Sequence, residues 1–198
     1  MTAYAPDPSA TLLDARDEYF RVNQFGPNGG YDDAWVDFKL GPIPLPFPNS
    51  PGRKRAVRFH DLHHTLTGYA TDARGEFEIS AWEIGSGCAG YLAAWQLNLG
   101  GMVAGMLAAP RRTWRAFLRG RQSRNLYRSQ YDDALLSRRV AEMRRELALD
   151  RPLATARAAD VALFALALVA GLAVGLVFMV LMIPGAIVAN LAALARRR

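Results

Sequence analysis

The chain has 198 residues, a formal net charge of +6 and a single cysteine, Cys88. That length allows one ordinary domain plus an appendage, and one cysteine excludes both an intrachain disulfide and a Cys-x-x-Cys metal or redox pair. The positive charge is almost all arginine, since Lys39 and Lys54 are the only lysines, and it favours contact with anionic lipid or an acidic small molecule.

Met1 to Phe20 carries Asp7, Asp14, Asp17 and Glu18 and lacks a basic stretch followed by an apolar one, so it reads as neither a secretory signal nor a transit peptide. Thr11 to Phe20 reads as a short helix behind Pro6 and Pro8, with Leu12, Leu13 and Phe20 apolar. Gly26 to Gly30 is a turn, and Tyr31 to Leu40, with Trp35 and Phe38 three apart, reads as another short helix. Pro42, Pro44, Pro46 and Pro48 then alternate with Ile43, Leu45 and Phe47. Alternating prolines forbid helix and central strand, which leaves an extended apolar loop of polyproline-like geometry. Such a loop serves as a strap across the core or as an apolar flap against a membrane.

Arg53 to Thr67 reads as a helix stopped by Gly68, and about Ala73 to Ile84 as a second helix capped by Thr71 or Asp72. A linker of about five residues makes the two an antiparallel hairpin. On the first helix His60 and His64 lie about 40° apart in azimuth, and Asp61 lies about 100° from His60 with His64 between them. Imidazole and carboxylate on one arc form a metal half-site, to which Glu76, in the first turns of the second helix, can add a fourth group. Glu83 shares the face of Glu76 and can support the ligands from behind, and His63 is a candidate fifth ligand or supporting donor.

Ile84 to Pro110 holds no charge but contains six glycines together with Gln96 and Asn98. It has the length of a bilayer span, yet the central amides and the glycines favour a buried or tunnel-lining helix pair. Beyond Pro110 the chain turns basic, with Arg111, Arg112, Arg115, Arg119, Arg121, Arg124 and Arg128 interleaved with Trp114, Phe117, Leu118 and Tyr127. This stretch can be a solvated face, a lid over an anionic substrate, or an interfacial helix. Nucleic acid is not expected as a partner, because no nucleic-acid module accompanies the charge. About Tyr131 to Leu149 reads as an amphipathic core helix through Leu136, Val140, Met143 and Leu147.

Residues 1–152 thus read as a helical domain and 153–198 as a membrane anchor. Val161 to Ile183 is an unbroken apolar run of transmembrane length. Pro184-Gly185 is expected to break it, leaving about 186–195 as an interfacial helix followed by Arg196, Arg197 and Arg198 at the head groups. The fold expected is all-α with one C-terminal transmembrane helix, the large domain facing the cytoplasm. Ala167, Gly171 and Gly175 repeat at the small-residue spacing that lets two such helices pair as a homodimer.

The run from His60 to Glu76 resembles the signature of the coenzyme Q biosynthesis protein 4 family: His60-Asp61, His64, eleven further residues, then Glu76, with a Leu66-Thr67-Gly68 turn and a Gly75-Glu76 pair. A weaker echo lies in Arg119-Gly120-Arg121 and Asn125-Leu126-Tyr127. The resemblance implies a membrane-associated, mainly helical protein of ubiquinone biosynthesis that binds a divalent metal at His60, Asp61, His64 and Glu76, zinc being the usual assumption and iron or manganese the alternatives. It implies oxidative decarboxylation of a prenylated benzoic-acid precursor, with carboxylate replaced by hydroxyl at C1, and other quinone-biosynthesis enzymes as partners. Arg119, Arg121 and Arg124 are candidates to pair with the substrate carboxylate, and Ile84 to Pro110 to shelter the isoprenoid tail. Competing readings are a non-catalytic lipid-binding scaffold for such enzymes, a zinc-peptidase-like hydrolase in which Asp61 replaces the usual glutamate base, and, third, an HD phosphohydrolase.

Overall fold

The computed structural model describes residues 6–36, 39–40, 43–44 and 46–195. Expectations resting on Phe38, Gly41, Pro42, Leu45 and Arg196–Arg198 lie outside the described residues. Eight helices and four two-residue strands are found among those described: α1 (Leu12–Asn23), β1 (Trp35–Val36), β2 (Lys39–Leu40), β3 (Ile43–Pro44), β4 (Phe47–Pro48), α2 (Pro51–Thr67), α3 (Ala73–Ser86), α4 (Leu92–Ala108), α5 (Pro110–Arg121), α6 (Asp133–Leu136), α7 (Val140–Glu146) and α8 (Ala158–Ala195). The fold is all-α, as the sequence implies, and α8 is long and apolar enough to span a membrane.

Local chemistry sets the bounds of the two helices that matter most. Ser50 caps α2, its hydroxyl accepting from Arg53 N, and Pro51 occupies the first turn where no backbone donor is missed. Gly68, at φ 76°, ends α2 by donating its N–H to His64 O at 2.9 Å. Five residues later α3 starts under Asp72, whose carboxylate accepts from Gly75 N at 2.8 Å. Only glycine fits at 75, since a Cβ there would lie 2.0 Å from Ala70 O.

The core is built on α3, which packs along both α4 and α5. Glycines let the backbones of α3 and α5 meet: a Cβ on Gly85 would lie 2.3 Å from Phe117 O, and one on Gly120 would lie 2.2 Å from Trp82 O. Trp82, Leu62, Leu66, Ile79, Met102, Phe117 and Leu126 are fully or almost fully buried around this contact, each contributing about 1.5–3 kcal/mol by removal from water. Two arginines close the C-terminal end of α2, where carbonyls lack helical donors: Arg119 donates to Thr67 O at 3.1 Å, and Arg144 donates to Leu66 O.

Several expected elements differ. Trp35–Val36 and Lys39–Leu40 are strands, not part of a helix, and the proline-rich run supplies their partners. Trp35 pairs with Pro48, Val36 with Phe47, Lys39 with Pro44 and Leu40 with Ile43, so both short ladders share one antiparallel register. Pro44 and Pro48 stand at alternate positions, so the N–H each lacks belongs to one edge, and the intervening parity of Ile43 and Phe47 keeps its donors for the partner strand. The uncharged run from Ile84 is not a helix pair: it is the end of α3, a turn, and the single helix α4. The expected helix over Tyr131–Leu149 is split into α6 and α7, because backbone groups at 138–140 bond to the N-terminal segment instead: Leu12 N to Arg138 O at 2.8 Å, and Val140 N to Ala10 O at 3.0 Å.

The last helix also departs from expectation. α8 runs unbroken through Pro184 for 38 residues, so no separate interfacial helix follows. A proline removes one helical bond and bends the axis, which long membrane-type helices tolerate. Gly171 of α8 lies against α4, where a Cβ would meet Val103 at 2.7 Å and Leu99 O at 2.8 Å. Its lack of a side chain thus serves contact within the chain.

Candidate metal centre

Helix α2 presents three histidines from its last two turns, and α3 presents Glu76 and Glu83 against them. The ring of His63 is 0% exposed and lies edge-on to Trp82 and Tyr127. Its Nε2 accepts from Leu126 N at 3.0 Å, so the proton is on Nδ1, which donates to Glu83 Oε1 at 2.6 Å. Both ring nitrogens are therefore used inside the protein, and His63 supports the site instead of ligating a metal.

Glu83 is the hub of that support. Its Oε1 accepts from His60 Nδ1 at 3.0 Å as well as from His63, and its Oε2 accepts from Tyr127 OH at 2.7 Å and from Asn98 Nδ2. Burial would raise its pKa, but His60, with His63, outweighs that and holds the carboxyl well below the usual range. A fully buried carboxylate stays ionised here because four donors drawn from α2, α4 and the segment after α5 surround it.

His64 is held in a similar way, its Nδ1 donating to Tyr69 O at 2.9 Å while its ring stacks on Tyr19 at 5.7 Å between centroids. With both Nδ1 atoms protonated, His60 and His64 turn their Nε2 lone pairs toward one point. These atoms lie 3.1 Å apart, and Glu76 brings Oε1 to 3.3 Å from His64 Nε2 and Oε2 to 3.6 Å from His60 Nε2. Ligands about 2.1 Å from a tetrahedral ion stand roughly 3.4 Å from one another, so the three groups have the spacing of one divalent cation's shell. Three electron-rich groups this close repel unless a cation sits among them. Burial disfavours charge on His60, but Glu83 and Glu76 overcome it and raise the His60 pKa well above the ordinary histidine value. The same pairing, against burial, lowers Glu76 below the carboxylate range. Glu76 is the exposed member, with 43% of its side chain accessible, so the group opens to solvent on that side.

Asp61 stands outside the three-residue group formed by His60, His64 and Glu76. Its carboxylate accepts from Tyr31 OH at 2.6 Å, and burial pushes its pKa up to about 6, opposed by His60 and by the tyrosine bond. Of the four groups expected as ligands, three converge as a set that could hold an ion, and Asp61 is a neighbouring carboxyl held by the segment before the strands.

The arginines assigned to a substrate carboxylate have other partners. Arg119 donates to Thr67 O and Leu149 O, Arg121 pairs with Asp160 at 3.1 Å, and Arg124 donates to Glu146 O. All three tie elements together. Sequence reasoning missed Tyr31, Tyr127 and Asn98 as parts of the site. For Asn98 a signal existed, an amide in a helix otherwise apolar, since a buried amide needs a polar partner. Comparison with family models, with characterised proteins and with solved structures finds no match to this chain.

Proposed function

We propose that the chain is a membrane-bound, metal-dependent enzyme of ubiquinone biosynthesis that removes the C1 carboxylate of a prenylated benzoic-acid precursor as carbon dioxide and leaves a hydroxyl. The observation that carries the metal half of this reading is the convergence of His60 Nε2, His64 Nε2 and Glu76, with His60 and His64 oriented from behind by Glu83 and Tyr69 O. His60, His64 and Glu76 would hold the ion, which when bound supplies a Lewis-acid centre and, if it is iron or manganese, a redox one. Replacing carboxylate by hydroxyl consumes one oxygen atom, so the reaction takes an oxidant of the dioxygen class. The likeness of His60–Glu76 to the quinone-biosynthesis signature supplies the substrate class. Apolar side chains on the open side of α4, Leu92, Leu97 and Leu107, support an isoprenoid tail there. Arg119, Arg121 and Arg124 are engaged elsewhere, so they are not assigned to the acid group of the substrate.

The test is metal analysis of the purified protein followed by release of labelled carbon dioxide from a carboxyl-labelled prenylated hydroxybenzoate under air. Metal-dependent release, abolished in His64→Ala, is the expected result. Bound metal without release, and full complementation by His64→Ala, would mark the chain as a scaffold for other quinone-biosynthesis enzymes.

A further inference from the structure

Helix α4 has no charged side. Its 17 residues carry only Gln96 and Asn98 as amides among apolar side chains and glycines. At about 100° per residue the buried Ala94, Asn98, Met102 and Gly105 share one side of the helix, where Asn98 spends its amide on Glu83. Leu99 and Val103 form the next flank, which lies against Gly171 of α8. Beyond that flank an arc of about 100° carries Gln96, Leu107, Gly100, Ala104 and Leu97 in order of azimuth. Its two leucines are 86% and 47% exposed. A helix face turned to water is ordinarily charged or polar, and this one offers a single amide.

The exposed surface of α8 continues that arc. Ala158–Val177 is long and apolar enough to span a membrane and is almost wholly uncovered by the domain. Phe164, Ala167, Gly171 and Val174 turn toward the domain, while Val161, Leu163, Leu166, Val169 and Leu172 stand 40–64% exposed on the other side. Since Leu99 and Val103 border the exposed arc of α4, the apolar faces of the two helices join at the Gly171 seam. Acyl chains that surround α8 wherever the domain leaves it open therefore reach the edge of the α4 arc. The end of α4 also has a charge that suits lipid. Two residues past Ala108, α5 opens with Arg111 and Arg115, both exposed and without an ion-pair partner among the described residues. Arginines so placed take anionic head groups.

We propose that α4 is seated in the bilayer beside α8, its outer arc from Leu107 round to Leu97 covered by acyl chains while Arg111 and Arg115 meet head-group phosphate. This seating rests on α8 being membrane-bound, and on neither metal binding nor quinone chemistry. It brings lipid close to the metal group. Leu97 and Gly101 are one helical turn apart, and Gly101 abuts Ser80 and Glu76 O of α3. The lipid-covered arc thus ends beside the first turns of α3, so a ligand with an apolar tail keeps that tail in the bilayer while its polar end approaches Glu76.

Fluorescence quenching in proteoliposomes tests the seating. In the full-length protein with Cys88→Ala as background, a single cysteine replaces Leu97 or Leu107 on α4, Leu166 on α8, or Ala134 on α6, an exposed residue of a helix that packs on α1. Each carries an NBD fluorophore, in vesicles of phosphatidylcholine and phosphatidylglycerol with or without doxyl-labelled acyl chains. Doxyl lipid is expected to remove NBD emission at Leu97→Cys and Leu107→Cys to an extent comparable with Leu166→Cys, and to spare Ala134→Cys, which aqueous iodide quenches instead. Iodide quenching at both α4 positions, with doxyl quenching kept at Leu166→Cys, overturns the seating and leaves the anchor. Protection of the α4 positions from both quenchers also overturns it, and marks a second copy of the chain as the cover. Iodide quenching at Leu166→Cys as well removes the membrane-bound reading itself.

Discussion

Glu83 gains its influence from four donors converging on one buried carboxylate, and that makes it the residue whose removal separates orientation from ligation. Glu83→Gln keeps the size of the side chain but removes its charge and leaves one acceptor oxygen, with an NH2 in place of the other, among the four donors from His60, His63, Tyr127 and Asn98, so the hold that turns His60 Nε2 outward weakens. Metal affinity is expected to fall by about 10–100-fold, measured by competition with a chromophoric chelator, while His64→Ala removes a ligand outright and should lose more. Equal affinity in Glu83→Gln and the native protein would rule out this orienting role. The His60 proton gives a second expectation at this scale. Because its pKa is raised, the metal-free protein carries that proton at neutral pH, so binding an ion should release close to one proton per site, and affinity should rise with pH up to the raised value. Calorimetry in buffers of different ionisation enthalpy reads the proton count. Asp61 works in the opposite direction. Its folded pKa of about 6 lies above its ordinary 3.8, so the neutral form is favoured by folding. That contribution is fully present below pH 4 and is lost as pH rises through 6, leaving a deficit of about 3 kcal/mol at pH 7 and above. Asp61→Asn should therefore raise the melting temperature of the chelator-treated protein at pH 8 and change it little near pH 4.

Among the elements, α3 and α5 show how far local pattern carries an argument. The cap at Asp72, the stop at Gly68 and the hairpin of α2 and α3 were legible, because each is set by neighbours in sequence, whereas the cap of α2 at Ser50 and its start at Pro51 were not. The glycines at 85 and 120 were visible only as glycines. Their purpose, letting two backbones touch, appears once α3 and α5 are side by side. Gly120→Ala would force a methyl group to within 2.2 Å of Trp82 O, and the helices can separate only by opening the best-packed part of the core. A loss of about 3 kcal/mol or more is expected in thermal or denaturant unfolding; a stable Gly120→Ala protein would mean that this contact is looser than described. The strands at 35–36 and 47–48 illustrate the opposite limit, since a proline-rich segment has no periodicity that reveals its partner.

In the whole molecule, α8 is both a membrane-length helix and a wall of the helical domain. Phe164 joins the two roles, and Phe164→Ala should loosen the packing of α8 on α5 by roughly 1–3 kcal/mol because the ring is only partly buried, seen as faster hydrogen exchange in α4 and α5. Sequence by itself determined the helical class, the pairing of α2 with α3, the arc that carries His60 and His64, and the presence of one long apolar helix. All of these depend on spacing within a single segment, where helical geometry converts position into direction. Tertiary structure decided that Asp61 turns to Tyr31 while Glu76 joins the histidines, that His63 is consumed by Glu83 and Leu126, and that Arg119, Arg121 and Arg124 brace the scaffold. Each of those outcomes is a competition for a partner far away in the chain, and hydrogen-bond donors and charges settle such competitions by distance in space, which sequence order does not encode.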